Sequence, residues 1–359
     1  MSRAKRPLSR RYSRPITRVV IGCVATALTL TSCADSGEQL DESKALPTTV
    51  APDAEISVAT AKTKVALTAN GEIGKIPFRV KNWAAITGGP DVIQGFKGGS
   101  VDLATNAGMP SIQAHTQGVK TKIVAVQVRS LPTQKLATAP GTDISTLQDL
   151  RGKRIAFSAG QAQGLVVLQS LKDAGLSVDD VTLVELNSPQ FLTALQGKQV
   201  DVAPLGEPVL TKYLKEFGPE GARSIHTDAL DALSVLWAPV SALADDKKLS
   251  AITEFTKLWA KGEVWQWENP DKWIDAYYVK DQGVTADDGR RIIDSLGQPY
   301  FPTDWTDAIK WEQDTVDLVT DAGLFGGKSF DASELFDRRF EKVIAGAIPD
   351  KYKTAPVVR

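Results

Sequence analysis

Cysteine and histidine are almost absent from this 359-residue chain, and their scarcity removes whole classes of chemistry. The only cysteines are Cys23 and Cys33, and the only histidines, His115 and His226, stand 111 residues apart. With no cysteine beyond Cys33, the body of the chain has neither a disulfide framework nor a thiol nucleophile, and the fold must rely on packing. No HExxH pair, paired-cysteine spacing, P-loop or GxSxG elbow is present. Each histidine reads as a surface or capping residue. The acid pairs Asp179-Asp180, Asp245-Asp246 and Asp287-Asp288 stand in predicted turns or helix starts, where carboxylates satisfy free backbone N–H groups. These absences point away from an enzyme, and neither a cofactor nor a metal is expected.

Acidic residues are missing altogether from one segment, the first 32 residues, where positive charge is concentrated. Arg3, Lys5, Arg6, Arg10, Arg11, Arg14 and Arg18 precede an apolar run at 19–30, the pattern of a signal peptide over 1–32. Twelve apolar residues are too few for a stable membrane-spanning helix, which needs roughly twenty. The residues after Arg10-Arg11, Tyr12-Ser13-Arg14, fit a twin-arginine signal poorly. Removing 1–32 leaves 35 basic against 43 acidic residues, a net charge of −8, and makes nucleic acid an unfavourable partner. Leu30-Thr31-Ser32-Cys33 resembles the lipobox of bacterial lipoproteins, in which the cysteine is lipidated and becomes the new N-terminus. An ordinary secretory signal with Cys33 incidental is the plainer alternative. Residues 33–54 are rich in Asp, Glu, Ser, Thr and Pro and are expected to form a flexible tether beyond lipidated Cys33.

What remains exceeds what one core organises, so two lobes are expected. An internal repeat at an offset of 99 residues supports them. PDVIQGFKGGSVDLA at 90–104 matches PQFLTALQGKQVDVA at 189–203. Each opens with Pro at a plausible first helical position and sets apolar residues on one helical face, Val92, Ile93 and Phe96 in one copy and Phe191, Leu192 and Leu195 in the other. Gly98 and Gly197 are expected as left-handed helix ends, each followed by a short Val-Asp-containing strand.

Around the repeats, strands are predicted at 122–128, 154–157 and 181–186, with a helix over 165–174 capped by Gly175. Such alternation builds a mixed, mostly parallel sheet flanked by helices in each lobe, with the ligand crevice at the strands' carboxyl ends. Past Leu243, helices are expected at 252–260, 270–278 and 306–322, covering lobe I after the chain crosses back. Trp259, Trp265, Trp267, Trp273, Trp305 and Trp311 crowd this region; an aromatic cage is one reading, packing anchors the plainer one. Lobe I is placed at 55–138 plus 239–359, and lobe II at 139–238.

The loops at strand ends carry the candidate site. Ser158 to Gly164, which includes Gly160, Gln161 and Gln163, joins a strand to an apolar helix whose N-terminal N–H groups favour an anion. Thr87-Gly88-Gly89, the Asn106-Ala107-Gly108-Met109 loop and Asn187-Ser188 hold corresponding positions. Arg129, followed by Ser130, ends the strand at 122–128; its guanidinium can bind a sulfonate, carboxylate or phosphate bidentately, although a solvated surface arginine is the plain alternative. Glu207, beside Pro208, would repel an anion unless it is protonated, paired with a lysine or arginine, kept at a distance, or serves an amino group.

The segments GPDVIQGFKGGSVDLATNAGMPSIQAHTQG, VRSLP, DLRGKRIAFSAG, LKDAGL and LQGKQVDVAPLGEP, in this order, resemble the solute-binding components of ABC importers in the aliphatic sulfonate, taurine and nitrate group. The resemblance implies a two-lobed periplasmic-binding-protein-like fold of type II, closing on a small organic anion. It also implies ABC permease and ATPase partners, an extracytoplasmic location at the membrane and a monomer. Carried over by resemblance, the pocket comprises Gly89, the Asn106 to Met109 loop, Arg129-Ser130, Gly160-Gln161 and Glu207. The chain departs from the group where Gly-Asp before proline becomes Ala107-Gly108-Met109-Pro110, and where Trp-Asp-Pro becomes Gly206-Glu207-Pro208. Both changes enlarge or grease the pocket, with Met109 and Trp237 expected against the ligand's tail.

Overall fold

The computed structural model describes residues 40–128 and 131–354, and two separate five-stranded sheets lie within this span. The first is built from β1 (Glu55–Ala59), β2 (Arg79–Trp83), β3 (Leu103–Ala107), β4 (Thr121–Val128) and a late strand, β10 (Leu233–Pro239), in the order β2-β1-β3-β10-β4. The second uses β5 (Gln134–Thr138), β6 (Arg154–Phe157), β7 (Thr182–Glu185), β8 (Val202–Gly206) and β9 (Ser224–Ile225), in the order β7-β6-β8-β5-β9. β1 runs parallel to β2 and β3, as β6 does to β7 and β8, and β10 and β5 run antiparallel to both of their neighbours. The expected two-lobed fold of mixed sheets holds.

Helices α1 (Ala61–Ala69), α2 (Gly89–Lys97) and α3 (Met109–Thr116) connect the first sheet; α4 (Ala162–Asp173), α5 (Phe191–Gln196) and α6 (Val209–Phe217) connect the second. The repeat is visible as matching hydrogen bonds. Asp102 donates its amide to Ser57 O at 2.8 Å and accepts the Ser57 amide through its carboxylate at 2.8 Å. Asp201 makes the same two bonds with Arg154, both at 2.8 Å. Each repeated aspartate therefore pins the start of the central strand to its parallel neighbour. Val92, Ile93 and Phe96 of α2 are buried, as are Phe191 and Leu195 of α5.

After β10 come α7 (Val240–Ala244), α8 (Asp246–Glu268), α9 (Pro270–Trp273), α10 (Ala286–Leu296) and α11 (Thr306–Asp321). The long α8 packs on α1 and β1 and so covers the first lobe. Trp259, Trp273 and Trp305 are buried, Trp259 meeting Phe301 edge-on at 5.4 Å and Trp273 stacking on Tyr277 at 4.6 Å. These three indoles are packing anchors. Among the described residues no helix is long and apolar enough to cross a membrane.

Three expectations are corrected. The left-handed residue after each repeat helix falls one position later, at Gly99 (φ 65°) and Lys198 (φ 52°), because Gly98 and Gly197 still sit at negative φ. The lobe boundaries at 138/139 and 238/239 also move. β5 hydrogen-bonds within the second sheet and β10 within the first, so the chain crosses between 128 and 134 and returns between 225 and 233. Lastly, 40–54 is not a free tether. Leu40, Leu46, Val50 and Ala51 pack against the main core, and Arg339, held by Asp337 at 2.6 Å, donates to the carbonyls of Asp41 and Lys44. Apolar residues spaced along the segment, together with this buried guanidinium, bind it to the first lobe. Residues 33–39 lie outside the described span.

Lys198 holds a backbone conformation that costs a side-chain-bearing residue ~1–2 kcal/mol, less what glycine loses in unfolded-state entropy. Lys198→Gly is expected to stabilise the chain by about 0.5–1 kcal/mol, read as a higher urea midpoint at constant slope.

Candidate functional site

The carboxyl ends of parallel strands leave backbone free to face a ligand, and here two such edges meet. β3 runs out through Asn106 and Ala107 into α3, while α2 opens at Gly89; opposite them, β6 leads through 158–161 into α4. Between these rims lies a cavity of about 350 Å³, lined by Thr87, Gly89, Thr105, Asn106, Ala107 and Pro110 from one side and Thr133, Gln134, Gln161, Ala162, Gln163 and Ser188 from the other. Asp231, Leu233 and Ser234, on the returning segment, close it.

The rims touch where both lack side chains. A Cβ on Gly89 would lie 2.6 Å from Pro110 Cγ and 3.0 Å from the Gly160 carbonyl oxygen, and one on Gly160 would overlap the Gln113 carboxamide. Gly88 faces Gln161, whose Nε2 would stand 3.2 Å from an added Cβ. Gln161 spends its carbonyl oxygen within its own lobe, accepting from Ser158 Oγ and from the Ser188 amide, both at 2.9 Å. Its Nε2 is thereby turned toward the opposite rim.

The sequence-derived candidates separate on these facts. Gly89, Asn106, Ala107, Gln161 and Gln163 line the cavity, with Gly88 and Gly160 at the rim contact. Asn106 acts as a brace, accepting from Trp237 Nε1 at 2.9 Å and donating to Thr87 O at 3.0 Å. Trp237 does not meet a ligand tail: at 0% exposure it packs edge-on against Phe96 at 4.7 Å within the core. Met109, 1% exposed, is likewise core, because the first turn of α3 points its side chain inward. Gly108 abuts the Glu312 carboxylate rather than the cavity. Arg129, Ser130 and Cys33 lie outside the described residues.

Glu207 turns away from the cleft. It accepts from the Thr211 amide at 3.1 Å and hydroxyl at 2.6 Å and pairs with Arg291 at 3.3 Å, beside a separate cavity of about 250 Å³ that also holds Lys135, Lys215 and Asp288. Arg291 and Asp288 belong to α10, and Lys215, which pairs with Asp288, belongs to α6, so this ionic contact joins the C-terminal helices to the second lobe.

Gln113, Gln134, Thr105, Asp231 and Glu312 were missed because no local motif marks them. Thr105 Oγ1 and Gln134 Oε1 are buried at the cavity wall without hydrogen-bond partners among the described residues. Unsatisfied buried polar groups cost ~1–3 kcal/mol each, so a polar ligand that reaches them recovers that energy. Among the described lining residues, Asp231 alone is ionisable. Behind it Glu312 of α11 is fully buried, and burial first, then the Asp231 charge, pushes its carboxyl well above the ordinary glutamate value of 4.5.

The comparisons with known proteins agree with this fold. The NMT1/THI5 like family model matches residues 84–235. Over 137 residues the chain is 26% identical to the "Putative aliphatic sulfonates-binding protein" of Escherichia coli (strain K12), covering 38% of this chain and 43% of that protein, less than half its length. Over 264 residues it is 22% identical to the protein of the same description from Bacillus subtilis (strain 168), covering 72% and 77%. Among solved structures, the alkanesulfonate-binding protein SsuA from Xanthomonas axonopodis pv. citri bound to MOPS superposes with a TM-score of 0.68 at 19% identity, covering 79% of this chain and 98% of that one. The fold is thus that of the two-lobed periplasmic binding proteins. Within that class, the similarity read from the sequence segments is to the aliphatic sulfonate group.

A carboxyl whose folded pKa is raised binds more protons folded than unfolded, so its ionisation lowers stability as pH climbs above 4.5 toward the folded value. Glu312→Gln is therefore expected to raise the melting temperature at pH 8, with the gain shrinking to nothing near pH 4, as differential scanning calorimetry at the two pH values would show.

Proposed function

We propose that the chain is an extracytoplasmic solute-binding lipoprotein that captures a small organosulfur anion between its lobes and delivers it to the permease and ATPase of an ABC importer. The apposition of Gly89 and Gly160 across a polar cavity of about 350 Å³ carries this reading, because two backbone-rich rims joined by two crossings can close on a small solute. Gln161 Nε2 and the N-terminus of α4 supply donors to a sulfonate-like head group, and Arg129, next in the sequence after β4, is a further candidate for that head group. The similarity to proteins named for aliphatic sulfonates supports the ligand class.

A non-enzymatic role agrees with where the histidines stand. His115 stacks on Phe330 at 3.9 Å and His226 sits exposed beside Asp228 at 3.0 Å; neither lines the cleft. Asp231 favours a second reading, a small nitrogenous solute whose cationic end would face that carboxylate.

Tryptophan fluorescence titration with alkanesulfonates and an aminopyrimidine separates the two readings; a response to sulfonates is expected, and silence toward them with a response to the aminopyrimidine selects the second. Gly160→Val, which drives a side chain into Gln113, is expected to weaken binding at least tenfold, about 1.4 kcal/mol, while leaving the circular dichroism spectrum unchanged. Anchoring is tested separately: Cys33→Ser should move the protein from the detergent phase to the aqueous phase on Triton X-114 partition.

A further inference from the structure

The wall of the cleft is short of apolar surface. Among its described lining residues only Ala107, Pro110, Ala162 and Leu233 present a hydrocarbon side chain, and none is aromatic. An alkyl chain laid along the remaining wall strips water from polar groups without replacing their hydrogen bonds, which weakens binding. A solute that suits this wall therefore carries polar groups beyond its anionic head.

The polar groups divide by hydrogen-bonding role. The first two amides of α4, on Ala162 and Gln163, donate to no group among the described residues. They are donors only, suited to the acceptor oxygens of an anionic head. The side chains of Thr87, Thr105, Thr133, Gln134, Gln163 and Ser234 line the same space and make no hydrogen bond among the described residues. Four are hydroxyls, which donate and accept, and two are carboxamides, which carry one acceptor and two donors apiece. Strand register gathers part of this set: Ser234 of β10 stands opposite Ala107, two residues on from Thr105, so all three share the cleft face of the first sheet. Gln134 opens β5 of the second sheet. The shielded oxygens are Thr105 Oγ1 and Gln134 Oε1; both residues are half-buried, and rotation about one side-chain bond turns either oxygen toward the space. A sulfonate brings no donor to such acceptors, so the rest of the solute has to.

Resting on the organosulfur-anion reading above, we propose that the preferred solute is a short, open-chain sulfonate bearing two or more hydroxyl groups, its head on the amides of Ala162 and Gln163 and its hydroxyls shared among Thr105, Gln134 and Ser234. A hydroxyl answers donors and acceptors at once, whereas an ammonium answers acceptors alone and a bare alkyl chain answers neither. With no aromatic face among the described lining residues, nothing offers a platform to a ring, which is why the chain is open.

Isothermal titration of the full chain with propanesulfonate, 3-hydroxypropanesulfonate, 2,3-dihydroxypropanesulfonate and 3-aminopropanesulfonate tests this. Affinity is expected to rise about fivefold with each hydroxyl, so that the dihydroxy compound binds about 25-fold tighter than propanesulfonate and tighter than the amino compound. Thr105→Val and Gln134→Leu each remove one polar group at nearly constant shape. Each is expected to cut the ratio of dihydroxypropanesulfonate to propanesulfonate affinity about fivefold. The two positions stand in different sheets, so either variant carries the test if the other fails to fold. Affinity that does not grow with hydroxyl count, or variants that leave the ratio unchanged, overturns the hydroxylated solute while leaving sulfonate binding intact. Tightest binding of the amino compound overturns it as well, in favour of a cationic tail facing Asp231. Silence toward all four sulfonates overturns the parent reading and this one together.

Discussion

Each sheet is completed by a strand laid down next to a crossing between the lobes. β5 follows the first crossing and pairs with β8 and β9; β10 follows the second and pairs with β3 and β4. In both sheets this strand is the one that runs antiparallel to its neighbours, so each crossing is anchored by a full ladder of hydrogen bonds. The return segment is gripped further, with Gln169 of α4 holding Leu230 through its amide at 2.8 Å and Ser170 meeting Thr227 at 2.7 Å. Two anchored crossings tie the two lobes to each other.

Close approach of the two rims requires glycine. Where two lobes meet, the first atoms in contact decide how near the remaining groups come. At Gly89 and Gly160 there is no side chain to meet, and Pro110 and the Gln113 carboxamide fill the space that a Cβ would need. Away from the cleft a different contact forms: Glu207 and Lys215 of the second lobe pair with Arg291 and Asp288 of α10. Ion pairs whose cationic partner is solvent-exposed contribute ~0–1 kcal/mol each, so this contact adds little to the stability of the arrangement. A carboxylate that would repel an anion in the cleft is thereby employed outside it.

The charge inside the cleft follows the same economy. Asp231 stands at the wall and Glu312 lies buried behind Gly108, where desolvation, then the Asp231 charge, raises the Glu312 carboxyl well above its ordinary value. The described wall then offers hydroxyls and carboxamides, groups that bind a polar head by direction more than by net charge.

The repeat of Asp102 and Asp201, the alternation of strands and helices, and the helical C-terminal third were legible in the sequence, because each depends on residues close in the chain and on periodicity. The glycines at the rims were legible for the same reason, since strand-to-helix turns announce themselves locally. Trp237 and Met109 were misplaced, and pairing of Glu207 with an arginine was only one of its alternatives, because residue type says what a side chain can do but not which way it faces. Burial of the indole against Phe96 and of Glu207 beside Arg291, 84 residues away in the chain, is set by packing between distant segments. The exchange of β5 and β10 between sheets was likewise invisible, because strand pairing over a hundred residues leaves no local mark. Local chemistry therefore determined the elements and their loops, and only tertiary packing decided which loops meet, which charges cancel and which polar groups face the cleft.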